Sequence, residues 1–143
     1  MTVDNRQFSA TVSAWVLQTQ ARMNAVFRES TQRVVSQAQR RIPVDTGFAR
    51  ASVRASLEAM PPIDPTFRGD PGRTYAPTGE VSVVIAGAQI GQTIYVGWTA
   101  NYAIFLEYGS SQQAPNGFVR VSAQEWPRIV SEVSQEAESR AGV

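Results

Sequence analysis

The chain has 143 residues, a formal net charge of +1, 43% apolar side chains and only 17% charged ones, which suits one modest core and excludes a disordered polypeptide. It contains neither Cys nor His, so disulfides, thiolate nucleophiles and Cys-based zinc sites are excluded, and the commonest general base and metal ligand is missing. Charge is unevenly spread: residues 1–54 carry a balance of +5, whereas 55–102 and 103–143 each sum to −2.

From Met1 to Ile42 there is neither Gly nor Pro. Phe8, Val12, Trp15, Val16, Thr19, Met23, Val26, Phe27, Ser30, Val34 and Ala38 step by three and four, the period of an amphipathic helix. Pro43 stops it, because the residue before a proline disfavours helical geometry. One helix over 6–42 would be roughly 55 Å long, whereas a compact body of this size is about 37 Å across. Either the helix breaks in two or it overruns its own domain and presents Phe8, Val12 and Trp15 to a partner. Pro43-Val44-Asp45-Thr46-Gly47 then predicts a short helical turn capped by Asp45 or Thr46, with Gly47 easing the backbone.

Val53 to Leu57 reads weakly as a strand. Residues 60–80 hold five of the eight prolines, and so cannot be a helix or a central strand. This segment is expected to be mobile in the free subunit and to order against a neighbour, burying Ile63, Phe67 and Tyr75. Val81–Ala86 and Thr93–Trp98 are β-branched and aromatic runs that read as a hairpin. Tyr102–Tyr108 reads as a short helix ended by Gly109. After Phe118–Val121, residues 122–140 form a second amphipathic helix on which Trp126, Ile129, Val130, Val133 and Ala137 share a face. Ser122 and Glu125 are placed as its capping box, and Pro127 falls in its first turn. The expected architecture is α+β: a long N-terminal helix and a C-terminal helix packed on a small antiparallel β-sheet, with a long Pro/Gly-rich loop, in one domain spanning 1–143.

Catalytic chemistry is not evident. The glycine pairs at Gly69/Gly72 and Gly87/Gly91 match no phosphate loop, and a serine nucleophile would find neither His nor Lys as a base. Asp64 and Asp70 could share a metal or simply be solvated; neither metal nor cofactor is expected. The longest apolar run is far short of a membrane span, and Met1–Arg6 lacks a secretory apolar core. A soluble, cytosolic, non-enzymatic chain follows. All 13 cations are Arg, which fits either codon bias or guanidinium pairing at interfaces. Arg40-Arg41 could touch a phosphate backbone or complement the helix C-terminal dipole. Tyr95, Trp98, Tyr102 and Tyr108 could stack on bases or fill core and interface. A positive first third against a negative remainder suits head-to-tail packing between copies, and also a solvated basic face.

Pro43-Val44-Asp45-Thr46-Gly47 with Arg50 and Ser52, then Val96-Gly97, Tyr102-Ala103 with Glu107 and Gly109, and Pro115 with Phe118, all behind a long helix, resemble the small neck or tail-completion proteins of long-tailed bacteriophages, the lambda Z-like minor tail components. The resemblance spans roughly residues 10–130, with departures in Val119–Ala123, which lacks the family's proline, and in the longer 60–80 insert. It implies a structural, non-enzymatic protein made in the host cytoplasm and built into the virion neck or tail. Its partners would be further copies of itself in a ring, a hexamer being one arrangement, together with head-closure and tail-terminator or tail-tube proteins and DNA in the channel. No membrane is implied. Asp45, Thr46, Gly47, Arg50, Tyr102, Glu107 and Gly109 are its structural motif residues, with Arg50 expected to pair with Glu107. The competing reading is a cytosolic nucleic-acid-binding module that uses the Arg-rich helix and the aromatic hairpin.

Overall fold

A computed structural model describes residues 5–45, 47–66, 69–70, 72–111 and 114–140. The elements in order are α1 (Asn5–Arg41), α2 (Phe48–Ala51), β1 (Val53–Ser56), α3 (Glu80–Ala86), β2 (Tyr95–Trp98), α4 (Ala103–Tyr108), α5 (Phe118–Gln124) and α6 (Trp126–Arg140). The class is α+β and mostly helical. The long first helix is unbroken: its 37 residues make a rod of roughly 55 Å. The hydroxyls of Thr11, Thr19 and Thr31 donate to the carbonyls four residues earlier at 2.8–2.9 Å, so these β-branched residues are accommodated within it. The Ile42 N–H closes its last turn on Ala38 O, one residue before Pro43.

Asp45 does not cap the short helix α2. Its N-cap is Gly47, at φ 83°; Asp45 is exposed and Thr46 lies outside the described residues. A Cβ on Gly47 would sit 2.5 Å from the Tyr75 carbonyl oxygen, so both the left-handed backbone and the close approach require glycine.

The sheet has two strands among the described residues. β1 pairs with β2 antiparallel, Val53 opposite Trp98 and Ser56 opposite Tyr95, and Thr99 prolongs the pairing by donating both N–H and Oγ1–H to Ser52 O. The hairpin expected between 81–86 and 93–98 is therefore wrong. Residues 80–86 are helical, and the partner of β2 is the earlier strand. Burial explains the difference: Val81 and Ile85 are buried while Val83 is 74% exposed. In a strand all three would share one face; in a helix the first and last stand one turn apart and Val83 points away. Packing of Val81 and Ile85 on Val35 and Val53 thus outweighs the strand preference of a β-branched run.

A second correction concerns the C-terminal helix. It starts earlier than expected and breaks at Glu125 into α5 and α6. Pro127 has no N–H to donate and its ring opposes helix on its N-terminal side, so the break falls just before it. Ser122 is fully buried inside α5, where its Oγ accepts from Arg41 Nη1 at 2.8 Å, and does not act as a cap.

Two clusters make up the core. One gathers Ala38, Ile42, Phe48, Ala49, Ala100, Ala103, Leu106 and Phe118; the other holds Val35, Val53, Val81 and Ile85. Trp98 packs against both, edge-on to Phe118 at 5.0 Å. All of this core lies against the C-terminal half of α1.

Candidate assembly surface

Residues 5–18 of α1 are all exposed. Phe8 is 64% exposed, Trp15 65%, and Val12 and Val16 are exposed with them. Steps of four, three, four, four and three carry one helical stripe from Phe8 through Val12, Trp15, Thr19 and Met23 to Val26. Beyond Val26 the same stripe reaches Ser30, which is fully buried. The half of the helix that has partners and the half that lacks them are thus one continuous apolar face. Such exposed apolar patches on a soluble chain mark contact surfaces.

Beside this stripe α6 runs against α1. Ile129 and Val133 are buried, and Arg33 clasps Glu136 with two bonds, Nη1 to Oε1 at 3.2 Å and Nη2 to Oε2 at 2.5 Å, while its Nε meets Glu29 at 3.1 Å. The Arg33 hydrogen bonds hold the Glu136 carboxyl below its ordinary pKa. Trp126, Val130 and Ala137, at the flank of the same face, line an open groove of about 530 Å³ with Met23, Val26 and Phe27. The sequence places these residues with Ile129 and Val133 on a single face; the structure divides them between core and groove.

The motif residues occupy three separate places. Gly47, Tyr75 and Tyr102 converge on Phe48, with Tyr75 edge-on at 5.0 Å and Tyr102 tilted at 6.2 Å. Tyr75 is half-buried and its hydroxyl accepts the Asp70 N–H. Ile63 is exposed, and Phe67 lies outside the described residues. Burial pushes the Tyr102 phenol above its ordinary pKa.

Arg50 and Glu107 do not meet. Arg50 Nε donates to Gln39 O at 3.0 Å, Gln39 Nε2 donates back to Arg50 O, and Trp98 Nε1 donates to Gln39 Oε1. Glu107 is only 6% exposed and sits at the start of α5, where it accepts the N–H groups of Val119 and Arg120 and the Nε of Arg120 at 2.8–2.9 Å. Arg120 in turn covers the Tyr108 ring at 4.6 Å. Gly109, at φ 85°, ends α4 with its N–H on Phe105 O. The buried carboxylate therefore serves as a helix cap, a role its distance along the chain from Val119 conceals.

At the other end of α1, Arg41 is occupied by Ser122 and approaches Glu125 at 4.0 Å. Arg40 is exposed, its Nε 3.4 Å from Ser36 O. The aromatic hairpin required by the nucleic-acid-binding reading is not formed, and Trp98 and Tyr102 pack into the core. No group of three or more acidic side chains positioned to hold a metal occurs among the described residues. Among the described residues, no helix is long and apolar enough to cross a membrane.

Residues 6–109 match the family model described as "Bacteriophage HK97-gp10, putative tail-component". No curated protein and no solved structure matches the chain.

Proposed function

The chain belongs to the HK97-gp10-like family of bacteriophage tail components, and on that premise we propose that it is a structural subunit of the head–tail junction. In this reading several copies form a ring around the DNA channel and join the tail tube to the head-closure ring. A tail component works in contact with other phage proteins, and this one carries a contact element of unusual reach. The single observation that supports the reading is the uncovered apolar face of residues 5–18, which projects from a body whose core lies wholly against the other half of the helix. Trp and Phe are typical interface anchors, and here both stand on that projecting face. In this reading the proline-rich segment 60–80 orders against a neighbouring subunit, with the exposed Ile63 as an accessory contact. Arg40, exposed at the far end of α1, is the residue through which the subunit would meet DNA.

The test is complementation of a phage lacking this chain with Trp15→Ala. The isolated protein should keep its stability to within about 0.5 kcal/mol, the range of exposed substitutions, while heads and tails accumulate unjoined. Normal infectious particles, or an unfolded monomer, would overturn the assignment of the surface.

A further inference from the structure

The projecting stripe of α1 and the groove between α1 and α6 are both uncovered apolar surfaces among the described residues, and we infer that they are the two sides of one contact: residues 5–18 of one copy seat in the α1–α6 groove of a second copy. Copies then join head to tail. A rigid helix cannot fold back on itself, so the chain cannot satisfy its own groove.

Three observations select this occupant. The first is continuity. The groove is lined from α1 by Met23 and Val26, which lie on the same stripe as Phe8, Val12 and Trp15, so the incoming helix meets the kind of face from which it is itself made. The second is charge. Residues 5–18 contain one cation, Arg6, and no acid, whereas α6 bears Glu132, Glu136 and Glu138 against Arg128 and Arg140, with Arg22 of the receiving α1 also at the groove. Glu138 borders the groove and forms no ion pair among the described residues. The positive end of the α1 dipole adds to this complementarity. The third is a polar match. Ser30 lines the groove, is fully buried, and its Oγ has no hydrogen-bond partner; the polar atom among Phe8, Val12 and Trp15 is the Trp15 indole N–H, a donor.

The area sets the behaviour. A helix of some 14 residues is about 21 Å long and 10 Å wide, and half-sunk in a groove it buries roughly 700 Å² counting both partners. That is below the 1,200–2,000 Å² or so of stable pairs, so one contact is weak. A head-to-tail contact whose rotation closes gives every copy two contacts, and the ring holds where the pair does not.

The inference rests on the junction reading only in taking copies as neighbours. Cross-linking of the purified chain reads the contact, and particle joining reads the role, so either can fail alone. The chain has no cysteine, so introduced ones report unambiguously. Thr11→Cys flanks the stripe and Ser134→Cys lines the groove. Mixed and oxidised at about 1 mM, the two variants should form a disulfide-linked dimer, and the double variant a ladder ending in a closed ring. Adding Trp15→Ala should lower the mixed yield at least tenfold, whereas Leu17→Ala, on the opposite face, should leave it unchanged. Dimers of Thr11→Cys alone in equal or greater yield would show face-to-face pairing and overturn the inference. Absence of any covalent species would overturn it as well, assigning the stripe to a different phage protein.

Discussion

Replacing Glu107 by Ala should be the most damaging single change to a charged residue. The carboxylate is buried and accepts the N–H groups of the second and third residues of α5, Val119 and Arg120, together with Arg120 Nε. Truncation leaves two backbone donors without an acceptor at about 1–1.5 kcal/mol each. The Arg120 side chain is half-exposed, so its share of the ion pair is discounted to less than about 1 kcal/mol. The expected loss is about 3 kcal/mol, equivalent to a Tm drop of roughly 10 °C for a chain of this size. Glu107→Gln keeps an acceptor oxygen and should cost about half as much. Urea unfolding followed by far-ultraviolet circular dichroism measures all three states. A double-mutant cycle with Arg120→Ala should show coupling of about 1 kcal/mol, and one with Arg50→Ala should be additive. A Glu107→Ala cost below about 0.5 kcal/mol would refute the capping role, and coupling to Arg50 would restore the pairing expected from sequence.

Gly47→Ala should destabilise by at least about 2 kcal/mol, from the left-handed backbone and the Cβ forced against the Tyr75 carbonyl; a neutral result in thermal melts would contradict this geometry. Trp98→Phe keeps an aromatic side chain, though a smaller one, and removes the donor to Gln39; it should cost about 1–2 kcal/mol in urea titrations, with the hydrogen-bond share absent in a Gln39→Leu background. Because Arg33 lowers the Glu136 pKa, the stability from this pair is fully present above the unfolded carboxyl value of 4.5 and is lost as pH falls through the lower folded value. Glu136→Gln should flatten stability over that acid window and reduce its salt dependence, read by melting curves from pH 6 down; an unchanged profile would contradict the pair's contribution.

How much of this was legible in the sequence follows from which residues act locally. The long helix was readable because Gly and Pro are absent up to Pro43 and the three-four spacing persists from Phe8 to Ala38. Its length left either a break or an overrun, and the unbroken helix gives the second. Val81–Ala86 misled because a β-branched run favours a strand locally, while contacts with Val35 and Val53, residues far away in the chain, make it a helix. The break before α6 was present in Pro127 but hidden by a plausible capping box at Ser122, whose hydroxyl Arg41 engages. Arg50 and Glu107 were wrongly paired, since nothing in the spacing distinguishes Arg120 from Arg50 as the partner. The groove was harder still: an amphipathic face records which residues avoid water, not which of them find cover within their own chain.

A cryo-electron microscopy map of the head–tail junction in the intact particle tests the central claim most directly. The account predicts a ring of this chain in which residues 5–18 of every copy, Phe8 and Trp15 foremost, are buried against protein. A map in which that half of α1 stands in solvent while other surfaces make the contacts, or in which the chain lies away from the junction, would contradict it.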